Sequence, residues 1–217
     1  MEEPDILYDG KFIEEKNAAI IINKLKEIEY IHTYHFLFNK YRRSRVGYIW
    51  VSDTGLSYTF SKTMKNALPA YSFNDYPVLK CIREYVESMT KHKFNSVLVN
   101  KYEDGDISLN YHDDNDPWLG KKFIVVSLSF GEKRRFLVKQ KSEYAKGKPI
   151  IKEYILENGS LVYMGESVQK YWLHSIPVQK RSLDDKKRKT GLRFNLTFRN
   201  VYPELFHKMP KPKEKNS

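Results

Sequence analysis

From residue 95 to residue 200 the sequence falls into short apolar or alternating runs, each closed by a turn signal. The runs lie at 95–102 (NSVLVNKY), 107–112, 122–130 (KFIVVSLSF), 134–140 (RRFLVKQ), 150–156 (IIKEYIL), 159–164 (GSLVYM), 171–176 and 191–200. Asp104-Gly105, Gly131, Lys148-Pro149 and Asn158-Gly159 punctuate them. Runs this short, rich in Val, Ile, Phe and Tyr, read as strands. Many short strands in series form a sandwich or a barrel, with the jelly roll a leading case.

The last run, GLRFNLTFRN, alternates strictly. Leu192, Phe194, Leu196 and Phe198 are apolar, and Arg193, Asn195, Thr197 and Arg199 are polar. Side chains at i and i+2 share one face of a strand. One face is therefore apolar and the other carries two arginines. A buried arginine needs an anionic partner, and guanidinium pairs with carboxylate bidentately. If the polar face turns into the barrel, a dicarboxylate such as 2-oxoglutarate fits it. The arginines are six residues apart, roughly 20 Å along an ideal strand. Both serve one small molecule only if their side chains fold inward or the strand bends.

The first 93 residues read differently. Residues 13–29 form a helix with Ala18, Ile21, Ile22, Leu25 and Ile28 on one face. Residues 77–90 form a second, with Pro77 at its first position, Asn74 or Asp75 as cap, and Val78, Leu79, Ile82, Val86 and Met89 as a stripe. Between them, residues 33–73 are aromatic and basic, and read as strands broken by loops. The 217-residue chain thus divides into an N-terminal part (1–93), a strand-rich core (94–202) and a basic tail (203–217) expected to be disordered, all within one compact domain.

NYHDDNDPW, residues 110–118, carries the metal chemistry. On an outward-running strand His112 and Asp114 project to one side and Asp113 to the other. His174 lies near the end of another strand, in WLHSIP. Two histidines and one carboxylate are the composition of a facial triad, which holds Fe(II) and leaves positions open for a co-substrate and O2. His-X-Asp also arises by chance, and the competing reading is an Asp- and Asn-rich turn beside a structural histidine. His32, His35, His92 and His207 have no acidic partner at ligand spacing and are read as non-ligands.

Several blocks, in this order, resemble the AlkB family of Fe(II)/2-oxoglutarate dioxygenases, the direct-reversal demethylases of DNA and RNA. They are DTGLSYTFS (53–61), FNSVLVNKYEDG (94–105), HDD (112–114), VSLSFG (126–131), GES (165–167) followed by YWLHSIP, and RFNLTFR (193–199). The resemblance runs from about residue 53 to 201. It implies an α+β fold: a double-stranded β-helix (jelly-roll) core, preceded by N-terminal helices and a nucleotide-recognition lid. By that resemblance His112, Asp114 and His174 are the catalytic iron ligands. Arg193 binds the far carboxylate of 2-oxoglutarate and Arg199 the end near the metal, while Asn100, Tyr102 and Asn195 hydrogen-bond the co-substrate. Asp116 contacts the methylated base, and Tyr58 and Phe60 belong to the lid, where an aromatic ring stacks on a flipped base. The implied reaction is removal of N-methyl groups, as in 1-methyladenine and 3-methylcytosine, with release of formaldehyde. Residues 33–52 match no lid segment of the family, and no residue is identifiable as a wedge filling the gap left by an extruded base.

Charge agrees with a nucleic-acid partner. There are 38 Lys+Arg against 27 Asp+Glu, a formal net charge of +11, which favours polyanions. Arg42, Arg43, Arg45, Lys133, Arg134, Arg135 and the KKRK cluster at 186–189 are expected to contact phosphates. The single cysteine, Cys81, permits no disulfide within the chain and suits a reducing compartment. With no membrane-length apolar run and no signal-peptide pattern, a soluble, intracellular monomer is expected, nuclear in a eukaryote and cytoplasmic otherwise. The substrate form, DNA or RNA, single- or double-stranded, stays open. The alternatives are a 2-oxoglutarate oxygenase of the same fold acting on a protein or small molecule, and a nucleic-acid binder with a dead metal site.

Overall fold

β13 (Arg193–Arg199) is the strand around which the molecule is built, and all seven of its residues are buried. The computed structural model describes residues 3–59, 64–120 and 123–206. In chain order the preceding elements are β1 (Ile6–Asp9), α1 (Glu15–Lys26), β2 (Tyr34–Leu37), β3 (Lys40–Arg43), β4 (Gly47–Ser52), β5 (Ala70–Tyr71), α2 (Pro77–Thr90), β6 (Ser96–Tyr102) and β7 (Leu109–His112). Then come β8 (Val125–Gly131), β9 (Arg134–Gln140), β10 (Ile151–Leu156), β11 (Ser160–Met164), α3 (Glu166–Tyr171) and β12 (Trp172–Ile176), with α4 (Pro203–Phe206) after β13.

Among the described residues, a seven-stranded sheet has the order β1-β11-β8-β13-β6-β4-β5 and a four-stranded sheet the order β10-β9-β12-β7. The strands from β6 to β13 are shared between the two sheets, four in each, in the winding of a double-stranded β-helix. The jelly roll expected from the serial short strands is therefore present. Each of the eight expected runs overlaps one of these strands, and residues 134–140 match theirs to the residue.

The alternation of β13 is read by two different layers. Phe194, Leu196 and Phe198 are fully buried in a core shared with Leu25, Leu79, Val86, Val97 and Leu128, where α1 and α2 cover the large sheet. The polar side chains of β13 face the interior between the sheets. A second core fills that interior, with Trp50, Leu98, Phe136, Val138, Trp172 and Ile176.

The N-terminal residues extend this framework. β4 pairs antiparallel with β6 and β1 with β11, so the boundary drawn at residue 93 crosses a continuous sheet. β1 escaped the sequence reading because four residues, ILYD, give too little pattern. α2 begins on Pro77 as expected, but neither Asn74 nor Asp75 caps it. Ser72 instead caps the short turn Phe73–Asp75, and Tyr76 is the N-cap of α2. Met89, placed on the apolar stripe, is exposed. β2 and β3 stand apart as a hairpin. No described helix is long and apolar enough to cross a membrane. Residues 207–217, most of the expected tail, lie outside the described residues.

Leu196 has no solvent exposure. Leu196→Ala is expected to lower the unfolding free energy by about 3 kcal/mol, measured as a shift of the urea midpoint by circular dichroism.

Candidate active site

The register of β12 on β7 makes the first contact of the site. His174 pairs directly with His112, and their ring centroids lie 4.2 Å apart. β7 ends at His112, and the chain turns so that Asp114 joins them. One ligand atom from each of His112, Asp114 and His174 lies within 4.8 Å of the others, close enough for a single ion to gather all three. Asp113, which also lines the cavity, pairs with Lys141 at 2.6 Å; the strand ends at His112, so the alternation expected to turn it away does not reach it.

Each ligand is set by its neighbours. His112 Nδ1 lies 2.8 Å from the Asn110 carbonyl, so it carries the proton and leaves Nε2 free for a metal. Asp114 Oδ1 accepts from Arg199 Nη2 at 2.6 Å, while Oδ2 faces His174 Nε2 at 3.6 Å. The backbone N–H of Asp114 donates to Gln169 Oε1 at 2.9 Å. Lys141 adds a second tie, bonding the Gln169 carbonyl as well as Asp113.

The electrostatics favour ligation. Burial, reinforced by His112, pushes His174 down to about 3, so it stays neutral, with its ring nitrogens available as ligands. Burial works to raise the Asp114 carboxyl, but Arg199, His174 and His112 outweigh it and hold the group below its usual value. A carboxylate and two imidazoles form the donor set that suits Fe(II).

Tyr58 links this centre to Asp116. Its hydroxyl donates to Asp116 Oδ2 at 2.9 Å and accepts from Arg199 Nη1. Its ring is buried, stacked on Trp50 at 4.4 Å and meeting Trp118 edge-on. Tyr58 thus lies inside the site, with one ring face already covered by Trp50. Burial pushes the Asp116 carboxyl up to about 6, against Arg199 and the Tyr58 bond. Phe60 lies outside the described residues.

The four residues matched to co-substrate binding away from the metal form two cross-strand pairs. Asn195 sits opposite Asn100, and Arg193 opposite Tyr102. Asn100 Oδ1 is buried without a partner. Arg193 is wholly buried; its Nη2 donates to Ser129 Oγ at 2.9 Å and Asn195 Oδ1 at 2.6 Å. Its Nε and Nη1 have no partner. A buried guanidinium with orphaned donors fits a carboxylate of a bound acid. Arg193 and Arg199 do not converge. They lie at opposite ends of β13, and Arg199 is engaged by Asp114 and Tyr58.

One cavity of about 510 Å³ joins these groups except Arg193, which lies behind its wall next to Asn195. The triad, Asn100, Tyr102, Asn195 and Arg199 line it, and so do His35, Leu37, Arg42 and Arg43 of the hairpin. The hairpin turns through Phe38 and Asn39, both at positive φ (50° and 60°), and Phe38 is 87% exposed. A bulky residue held left-handed and in water is an unfavourable placement. The hairpin falls within the strands and loops expected over 33–73, and the FN pair between its aromatic runs is the signal for its turn.

The basic residues sort into two groups. Arg42 and Arg43 are exposed at the cavity rim. Arg45, Lys133, Arg135 and Arg188 are tied to Asp104, to Glu157 and Asp184, to Glu153, and to Glu132 respectively. Arg134 is a correction: it has no exposure, lies inside the barrel and reaches no phosphate. A charged residue at the start of a strand gave no hint of that, because strand phase alone decides its face.

Comparison with known proteins follows this geometry. Residues 5–199 match the model of the 2OG-Fe(II) oxygenase superfamily. The chain is 35% identical over 154 residues to the DNA oxidative demethylase ALKBH2 of Bos taurus, covering 70% of this chain and 51% of that protein. It is 34% identical over 155 residues to the alpha-ketoglutarate-dependent dioxygenase alkB homolog 3 of Homo sapiens, covering 69% and 50%. The chain thus spans about half the length of the curated relatives it matches. The solved structure of OsALKBH1 superposes with a TM-score of 0.56 at 20% identity, covering 92% of this chain and all of that one, and so shares the fold.

His174→Ala is expected to abolish Mn(II) binding in calorimetry. Gln169→Leu, which leaves the ligands intact but frees the Asp114 amide, is expected to weaken it about tenfold.

Proposed function

The chain belongs to the AlkB family of the 2OG-Fe(II) oxygenase superfamily, and from that premise we propose that it is an oxidative demethylase of N-methylated bases in nucleic acid. The family's Fe(II), 2-oxoglutarate and O2 fit the donor set and the orphaned guanidinium described above. The observation that carries the substrate reading is the single cavity shared by the triad and the hairpin. In this reading a base reaching the triad lies beside the hairpin.

In this reading His112, Asp114 and His174 hold the metal, and Arg193, Tyr102, Asn100 and Asn195 hold the co-substrate. When bound, Fe(II) with 2-oxoglutarate and O2 supplies the oxidation of an N-methyl group to hydroxymethyl, which leaves as formaldehyde. The protein's own work is positional. Arg199 takes one oxygen of Asp114, leaving the other for the metal. Asp116, held by Tyr58, offers an acceptor at the cavity wall to the exocyclic amine of a base. A base must leave its stack to enter. Phe36, Phe38 and Tyr41 are exposed on the hairpin and supply stacking surfaces, each worth about 1–3 kcal/mol per base. Arg42 and Arg43 meet phosphates there, with affinity that falls as salt rises. The reading includes a monomer working where methylated nucleic acid resides, the nucleus of a eukaryote or the cytoplasm of a bacterium.

The test uses Fe(II), ascorbate and 2-oxoglutarate with oligonucleotides carrying 1-methyladenine or 3-methylcytosine, single- and double-stranded, read by mass. Loss of one methylene's mass is expected, absent in His174→Ala and without 2-oxoglutarate. Turnover of 2-oxoglutarate to succinate with every oligonucleotide unchanged would transfer the site to a protein or small-molecule substrate. Replacing Arg42 and Arg43 by Glu is expected to weaken oligonucleotide binding at least tenfold while leaving Mn(II) affinity unchanged, and the loss shrinks at high salt.

A further inference from the structure

Arg134 is the least explained charge in the molecule. It opens β9, has no solvent exposure, and its guanidinium hydrogen-bonds only to backbone carbonyls: Asp104 at 3.3 Å, and Ile107 and Pro177 at 2.8 Å each. Its Nε has no partner. The carboxylates nearest to it in charge are Asp104 and Glu132, and both are engaged elsewhere. Asp104 pairs with Arg45, and Glu132 with Arg188 at 2.6 Å. No carboxylate among the described residues pairs with Arg134 or with Arg193.

The two arginines converge on one ring. Arg193 lies 5.1 Å and Arg134 5.8 Å from the centroid of Tyr102. Burial pushes Arg193 down to about 10; Tyr102 opposes that shift and Arg134 adds to it. This end of the barrel therefore holds two buried guanidiniums around one tyrosine. Arg134 also fastens the chain here, drawing the loop after β6 against the segment after β12. The approach is close: a Cβ at Gly105 would stand 1.7 Å from the Gln179 carbonyl.

We propose that Arg134 is a positioning residue for the co-substrate, supplying a second buried positive charge behind Tyr102 that makes this end of the site select a 2-oxo acid with a far carboxylate. It touches no reacting atom. It acts through Tyr102 and through the field at Arg193, and the incoming carboxylate relieves the repulsion between the two arginines. The inference rests on Arg193 receiving that carboxylate.

The experiment compares binding of 2-oxoglutarate and of 2-oxopentanoate, which has a methyl in place of the far carboxylate, to the anaerobic Mn(II)-loaded protein. Arg193→Met tests the underlying reading: it should erase the preference for 2-oxoglutarate, and a preserved preference sinks that reading itself. Arg134→Gln, which keeps donors but removes charge, should cut the preference about tenfold, the order expected of a unit charge several ångströms away in a protein interior. It should leave 2-oxopentanoate and Mn(II) affinities unchanged. Equal weakening for both acids, or an unchanged ratio beside a collapsed one in Arg193→Met, overturns the role of Arg134. If Arg134→Gln fails to fold, the wild-type Arg134 Nε–H resonance decides. It should shift with 2-oxoglutarate and stay put with 2-oxopentanoate; no shift with 2-oxoglutarate overturns the proposal.

Discussion

The ion pair between Arg199 and Asp114 is the contact on which the rest of the site depends. Both side chains are buried, and their atoms meet at 2.6 Å. Burying two charges is sustainable only when the geometry is good and the remaining donors and acceptors are met. Here Arg199 also donates to Tyr58, Tyr58 donates to Asp116, and Asp114 retains an oxygen toward His174. Burial works to lower the Arg199 pKa, but Asp114, Tyr58 and Asp116 together raise it, so the cation is permanent. The last residue of β13 thereby fixes the orientation of a metal ligand 85 residues earlier in the chain. A chain that must keep an acid ionised in an apolar barrel needs such a cation beside it.

β13 can do this because its two faces have different employers. Its phenylalanines and leucine are clamped by α1 and α2 against the outer core, which leaves the strand no freedom to slip. A one-residue slip would turn both arginines into the helices and three apolar side chains into the cavity. Register thus carries the chemistry, and apolar packing carries the register. The same logic holds for β12 on β7, where the pairing of His174 with His112 brings distant ligands together without any loop having to find its place.

This explains which parts were legible in advance. Strand phase is visible in sequence, so the runs from 95 onward and the two-faced alternation of β13 could be read, while which of its faces turns inward could not. The triad needed a pairing between strands, which spacing alone does not supply, and the resemblance to a family supplied it. Three features stayed hidden for identifiable reasons. β1 is four residues long and earns its strand character from the free edge of β11. The hairpin of β2 and β3 has no buried face to impose a period, so its aromatic residues looked unpatterned. Gln169 and Arg134 act through backbone groups, N–H in one case and carbonyl in the other, and backbone partners leave no mark on sequence.

The two ends of β13 differ in one respect that gives the barrel its direction. Arg199 has its counter-ion built in, so an incoming anion gains little by meeting it. Arg193 has a hydroxyl, an amide oxygen and a neighbouring cation, but no counter-ion. An unpaired buried cation costs free energy in the empty fold, and that cost is returned only when an anion enters. In the proposed reading a keto acid with two carboxylates binds in one sense, its far carboxylate toward the unpaired end and its keto acid toward the metal ligands. The asymmetry also couples binding to stability, because a ligand that binds only the folded state stabilises it. On that proposal, selectivity for a dianion and a gain in stability on binding it are two consequences of the same missing carboxylate.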